Sequence, residues 1–231
     1  MQILVSDYDG TLNPFYFKPL FSKNIKGIKE YRANNNLFVI STARKPKQII
    51  KELKWFSIPY DYLICSNGKI ILDNNGDIIY TNIIYEHEIR ELLSTINILF
   101  GIKSLNYLDI YGNITNQAAY KILIETDNLI KLKKISNLIS GIKVNAFFKK
   151  ISISHYSDKR KGLIALLKEL KIEIDSKNIY SIGNSLNDIK MLKSFNGYKV
   201  PHSNPHLLLN SEIPMINSVY TLTRKIQHSN D

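Results

Sequence analysis

The chain has almost no cysteine. Cys65 is its single thiol, so no internal disulfide can form and no Cys-x-x-Cys pair exists to hold zinc. No run approaches the ~18 uninterrupted apolar residues that a membrane-spanning helix needs. The opening Met-Gln-Ile-Leu-Val-Ser-Asp meets a carboxylate at position 7, too early for the apolar stretch of a secretory signal. Glycine (10) and proline (7) are sparse in 231 residues, which excludes a collagen-like or low-complexity chain. Arginine is sparse too, at Arg32, Arg44, Arg90, Arg160 and Arg224 only, although Lys and Arg together number 31. The formal net charge of +11 therefore rests on lysines spread along the chain without a long basic block. Abundant Asn and Ile beside them look like an AT-rich coding background rather than a nucleic-acid-binding face. The histidines show no zinc spacing, and His202 and His206 straddle Pro205. These absences predict a cytoplasmic protein that binds neither nucleic acid nor membrane, with a general attraction for anionic metabolites.

Hydrophobic residues make up 44% of the chain, enough for a sizeable core in one large or two small domains. Ile-Leu-Val-Ser before Asp7, Leu37–Ser41 and Tyr62–Cys65 are short apolar runs that read as buried strands. Ser22 is placed to cap a helix to about Asn34, and Pro46 to open another. Strand, helix, strand, helix, strand is the pattern of a parallel sheet with crossover helices.

The rhythm then changes. An Asn-Asn-Gly-Asp turn sits between two β-rich runs, a hairpin signal. Helices are expected at Glu86–Leu99 and Asp127–Ile139, with strands near Ser104–Ile110, Tyr120–Glu125, Lys143–Phe148 and Ile151–His155. The parallel pattern resumes with a helix over Lys159–Lys171, the strand Ile-Tyr-Ser-Ile-Gly, a helix over Leu186–Lys193 and the strand Gly-Tyr-Lys-Val. The expected architecture is α/β: a Rossmann-like parallel-sheet core with helices on both faces, formed by residues 1–79 and 158–231. Residues 80–157 form a small inserted α+β domain.

Asp7-Tyr8-Asp9-Gly10-Thr11-Leu12 leaves the end of the first strand, where open α/β sheets place ligands. Two carboxylates so close repel unless a cation joins them, and hard oxygen ligands suit Mg²⁺. In isolation the hexapeptide also fits an Asp-rich turn, Thr42 a β-branched strand end, and Lys161 in Lys-Arg-Lys a solvated charge. Arg44 fits a local ion pair as readily as a substrate contact, and Asn67 a left-handed turn as readily as a hydrogen bond to substrate.

Four ordered segments together carry more. Asp-Tyr-Asp-Gly-Thr-Leu-Asn, Thr42 at the end of the second strand, Lys161 just before Gly162, and Gly183-Asn184-Ser185-Leu186-Asn187-Asp188 resemble the motifs of the haloacid dehalogenase-like superfamily of phosphohydrolases. Cys-Ser-Asn-Gly-Lys and the following insertion are similar to its Cof-type (type IIB) branch, which carries a C2B cap. The resemblance implies a Mg²⁺-dependent phosphatase acting on a small phosphorylated metabolite, a sugar phosphate or similar. In it Asp7 is the nucleophile that becomes aspartyl-phosphate, and Asp9 the general acid and base. Thr42, the Ala43 N–H, Lys161 and Asn187 bind the phosphoryl group, and the metal rests on Asp7, Asp9, Asn184 and Asp188. Asn184 stands where the family usually has a metal-binding Asp, which lowers the charge offered to the cation. The same residues fit a phosphomutase-type transferase, and Asn184 fits a catalytically weakened phosphate-binding protein.

Overall fold

A computed structural model describes residues 1–231 except 16, 110, 112, 116–117, 126–140, 148–149, 174–175 and 229–231. The first stretch runs β1 (Ile3–Asp7), α1 (Lys18–Ala33), β2 (Leu37–Ser41), α2 (Pro46–Trp55), β3 (Tyr62–Cys65), β4 (Ile70–Asp73) and β5 (Ile78–Thr81). Then come β6 (Ile84–Tyr85), α3 (Glu86–Phe100), β7 (Ser104–Leu108), β8 (Ile114–Thr115), β9 (Ala118–Ala119), β10 (Lys121–Glu125), β11 (Ile142–Phe147) and β12 (Lys150–His155). The last stretch holds α4 (Lys159–Glu169), β13 (Ile179–Gly183), α5 (Ile189–Ser194), β14 (Asn196–Lys199), α6 (Pro205–Leu208) and α7 (Val219–His228). Two compact units result, Met1–Tyr80 with Asp158–Asp231, and Thr81–Ser157.

The first unit is built on a seven-stranded sheet in the order β14-β13-β1-β2-β3-β4-β5. The strands from β14 to β3 pair in parallel, and β4 turns back antiparallel on β3. Every residue of β1 is buried. Strand side chains alternate faces. Ile3, Val5, Val39 and Ile64 pack with Leu163, Leu166 and Leu167 of α4 and Met191 and Leu192 of α5. Leu4, Phe38, Ile40 and Leu63 are the intervening residues and fill the opposite face, with the fully buried Ile28, Tyr31 and Ile49 of α1 and α2. From β1 the sheet grows through β2 on one side and β13 on the other. The C-terminal end of β1 is thus a switch point, the place where sheets of this kind open a crevice.

Cys65 closes β3 fully buried, and burial alone pushes its thiol up to about 12. It is therefore a protonated apolar side chain at neutral pH. A thiol-specific reagent should leave the folded protein unlabelled and titrate one thiol once guanidinium unfolds it.

Two boundaries differ from the sequence reading. α1 begins at Lys18, four residues before Ser22, because Pro19 pre-sets the backbone of its first turn and no side-chain cap is used. Leu186–Lys193 is not one helix: a 3₁₀ turn over Leu186–Asp188 precedes α5, folded around the Asp188 side chain. The helix expected over Asp127–Ile139 lies outside the described residues.

The second unit carries an antiparallel sheet in the order β11-β12-β10-β7-β8 and the helix α3. In β10, Ile122 and Ile124 are buried while Lys121, Leu123 and Glu125 are not. They join Ile151 and Ile153 of β12 against Ile89, Leu92 and Ile96 of α3. No described helix is long and apolar enough to cross a membrane.

Candidate active site

Asp7 is the last residue of β1 and only 5% exposed. Its Oδ1 lies 2.5 Å from Lys159 Nζ, and its Oδ2 accepts from Thr11 Oγ1 at 3.1 Å. The same ammonium donates to Asp188 Oδ1 at 2.6 Å. Asp188 Oδ2 in turn accepts from Asn184 N (3.1 Å), Ser185 N (2.8 Å) and Ser185 Oγ (2.8 Å). All three ionisable side chains are buried, and two carboxylates share one ammonium. Burial pushes the Asp7 carboxyl up to about 6; Lys159 opposes the rise and Asp188 adds to it. Burial alone would pull Lys159 down, yet the two carboxylates hold it above the ordinary lysine value.

The lysine at the site is thus Lys159 and not Lys161. Lys161 is exposed, and its backbone N–H donates the capping hydrogen bond to Asp158 Oδ1 at 2.8 Å. The register follows from where α4 starts. Asp158 is its N-cap, so Lys159 is the first helical residue and turns inward, two positions before the exposed one. Close backbone approach holds this turn in place. A Cβ on Gly162 would fall 2.4 Å from Gly68 Cα, and one on Gly68 would fall 2.3 Å from Asp158 O. Only glycine fits at either position.

Asp9 is held differently. Arg44 Nε donates to its Oδ2 at 2.8 Å while Arg44 Nη2 pairs with its Oδ1. The third guanidinium nitrogen, Nη1, pairs with Glu52 Oε2. Glu52 Oε1 accepts from Tyr8 OH at 2.8 Å and from Asn13 Nδ2 at 3.2 Å. Arg44 is therefore in an ion pair, one of the two roles its sequence context allowed. Sequence reasoning did not single out Glu52; it lies in α2 with no motif around it. Its only sequence signal is its place on α2, one turn before the exposed Phe56.

Thr42 ends β2 in a web of backbone bonds: its N donates to Ile64 O at 2.8 Å, its O accepts from Asn67 N at 3.0 Å, and its Oγ1 accepts from Arg44 N at 3.1 Å. Ala43 follows it, exposed, three residues before α2 opens at Pro46. Asn187 is exposed on the 3₁₀ turn, whereas Asp188 beside it is buried. Ser66, Asn67 and Gly68 all have positive φ (53°, 55° and 88°), the left-handed turn that Asn tolerates.

Gly10, at φ 78°, brings the β1 loop against the fourth motif: a Cβ there would fall 2.1 Å from Asn184 Nδ2. Asn204 N donates to Asn184 O at 2.7 Å, and His202 Nε2 meets Gly10 O at 2.6 Å. The Asn184 Oδ1 is buried and has no hydrogen-bond partner. An orphaned carbonyl oxygen beside a carboxylate cluster of surplus negative charge is the environment a hard cation takes. Asp7 and Asp188 each already accept hydrogen bonds on both oxygens, so Asn184 Oδ1 is the acceptor in this cluster that is left unused. Among the described residues no group of three or more His, Cys, Asp or Glu side chains is arranged to hold a metal ion, so a metal here would rest on mixed oxygen donors.

Known proteins resemble this chain in sequence and in fold. The chain is 27% identical over 245 residues to a protein of Buchnera aphidicola subsp. Baizongia pistaciae named provisionally as a phosphatase, covering 92% of this chain and 90% of that one. Its fold matches BT1666 of Bacteroides thetaiotaomicron, a phosphatase of the HAD superfamily, with TM-score 0.68 at 18% identity over 100% of this chain and 95% of that chain. It also matches the HAD subclass IIB sugar phosphatase BT4131, with TM-score 0.61 at 15% identity over 100% and 99%. The sequence pattern of the haloacid dehalogenase-like hydrolases covers residues 4–137 and 102–210. With Asp7 and Lys159 paired at the end of β1 and the family pattern spanning most of the sequence, the chain belongs to the haloacid dehalogenase-like hydrolases.

Proposed function

We propose that this phosphoric monoester hydrolase is Mg²⁺-dependent and cleaves a small phosphorylated metabolite, a sugar phosphate or one of similar size, through an aspartyl-phosphate on Asp7. The observation that carries the reading is the buried Asp7–Lys159–Asp188 cluster at the switch point of the sheet. Asp7 attacks phosphorus, and the bond from phosphorus to the ester oxygen breaks. Asp9 gives the departing oxygen its proton, then takes a proton from the water that attacks the aspartyl-phosphate. Inorganic phosphate leaves and the Asp7 carboxylate is restored. Lys159 keeps Asp7 ionised and oriented, the place the resemblance assigned to Lys161, and Asp188 holds Lys159. Thr42, the Ala43 N–H and Asn187 contact the phosphoryl oxygens. Asp7, the Asp9 backbone carbonyl and Asn184 Oδ1 would hold the metal. Mg²⁺ bound there offsets the negative charge of nucleophile and phosphoryl group, letting one anion approach another. The unit Thr81–Ser157 selects the substrate.

The test is a panel of phosphate esters assayed with Mg²⁺ for free phosphate, with Asp7→Asn as control. Phosphate release that depends on Asp7 supports the reading. Transfer of the group to a second sugar without free phosphate supports the mutase alternative, and phosphate binding without turnover the weakened-enzyme alternative that Asn184 favours.

Asn184→Asp gives a sharper test of the metal set. The substitution adds a carboxylate where one ammonium already serves two, so the metal-free variant should melt below the wild type. With Mg²⁺ the order should reverse, because a ligand bound only to the folded state stabilises it. Half-maximal activity should need roughly tenfold less Mg²⁺, about 1.4 kcal/mol of binding. Equal Mg²⁺ dependence of melting and rate in both proteins would remove Asn184 from the metal set.

A further inference from the structure

Glu52 belongs to no motif, yet it is the joint of the polar network behind Asp9. Each Asp9 oxygen accepts one hydrogen bond from Arg44 and keeps a second lone pair for a proton, and the remaining Arg44 nitrogen pairs with Glu52. Glu52 is tied back to the β1 loop through Tyr8 OH and Asn13 Nδ2. That loop is itself closed by Gly10 N donating to Asn13 O at 2.8 Å and Asn13 N donating to Tyr8 O at 2.9 Å. Arg44 Cζ also lies 5.2 Å from the centroid of the Tyr8 ring.

The arrangement has a physical purpose that the Asp9–Arg44 pair alone cannot serve. The two side chains are 28% and 33% exposed, so water competes for both and an isolated pair holds Arg44 less firmly than one braced from behind. A displacement of about 1 Å at a proton-transferring group costs on the order of 100-fold in rate. Glu52 supplies the missing constraint by engaging Arg44 from behind. It also offsets the guanidinium charge, so that Arg44 does not act as a free cation competing for the phosphoryl group.

We infer that Glu52, anchored by Tyr8 and Asn13, is a positioning residue of the phosphoryl transfer: it holds Arg44, and through Arg44 the Asp9 carboxylate, in the geometry that protonates the leaving oxygen. This rests on the reading of Asp9 under Proposed function. Gln at position 52 can still accept from Tyr8, but it then turns an N–H₂ toward Arg44 Nη1, donor against donor, and the guanidinium must swing away.

The test compares two esters of similar shape, phenyl phosphate and 4-nitrophenyl phosphate, whose leaving groups differ in acidity. The less acidic phenol needs the proton; the nitrophenol leaves nearly without it. Glu52→Gln should lower kcat/KM for phenyl phosphate about 10- to 100-fold and for 4-nitrophenyl phosphate about threefold at most. Tyr8→Phe, which keeps the ring under Arg44, should show the same split at roughly three- to tenfold. In an Asp9→Asn background, Glu52→Gln should cost nothing further on either ester, because its effect runs through Asp9. Equal losses on both esters, or a rise in KM alone, overturn the inference while leaving the phosphatase reading standing. If Glu52→Gln fails to fold by circular dichroism, the Tyr8→Phe comparison decides by the same criterion. Absence of Asp7-dependent hydrolysis of any ester by the wild type overturns both.

Discussion

Asp7→Asn should abolish hydrolysis of every phosphate ester, by on the order of 10⁴–10⁶-fold, while the protein stays folded. The amide cannot attack phosphorus, so no leaving group, however good, rescues it. Folding survives because the substitution removes one of two carboxylates sharing the Lys159 ammonium, and Asp188 still pairs with it at 2.6 Å. Asp9→Asn should fail in another way. It keeps the nucleophile and loses the proton donor, a loss of roughly 10²–10⁴-fold on poor leaving groups. On 4-nitrophenyl phosphate the first step should largely recover, with aspartyl-phosphate accumulating because its hydrolysis lacks a base. Acid quenching and phosphate analysis of the denatured protein would detect the adduct in Asp9→Asn and not in Asp7→Asn. Wild-type turnover by Asp7→Asn would end the assigned mechanism.

Lys159→Met should be the most destructive single change to fold and activity together. It leaves Asp7 and Asp188 buried with no cation between them, and breaking a buried pair in this way costs about 3–5 kcal/mol. For a chain of this size that lowers the melting temperature by roughly 10 °C. Turnover should fall at least ~10³-fold, since a buried carboxylate that has lost its ammonium partner protonates more readily in place of attacking. Adding Asp188→Asn should return part of the stability and none of the activity. Lys161→Ala, two residues away, should change stability by no more than about 0.5 kcal/mol and leave turnover intact. Were Lys161→Ala the inactive variant, the register of α4 at the site would be wrong.

The contrast between these lysines marks where the sequence stops being readable. Apolar runs at Leu37–Ser41 and Tyr62–Cys65 announced the parallel strands, because burial on both faces leaves a continuous apolar stretch that composition alone displays. Asp7 and Asp9 stood out as candidates by their place after the first strand, but their roles came only from the resemblance that four ordered segments carry together. Lys-Arg-Lys offers three cations in a row, and which one turns inward depends on the helical residue after the cap. Asp158 decides that, one atom of it accepting Lys161 N. The role of Asp188 was hidden for a related reason: its carboxylate curls back on Asn184 and Ser185 N–H groups, a 3₁₀ cap that replaces the uniform helix expected there. Glu52 was invisible, since its function exists only through partners 8 to 44 residues away in sequence.

The Asp7–Lys159 pair joins residues 152 apart, across the whole inserted unit. While the chain is being synthesised, β1, β2 and β3 emerge long before α4. Until α4 arrives, the sheet holds a carboxylate at its centre with no cation and an open groove beside Gly68, into which Gly162 has yet to settle. The growing N-terminal portion therefore lacks the element that covers the end of β1 and pairs with Asp7. Final closure of the sheet's α4 face is a late, long-range step, and such steps are slow because loop closure precedes the contacts that reward it. Hydrolysis of phosphate esters by a growing chain is therefore expected only after α4, the element that carries Lys159, has emerged.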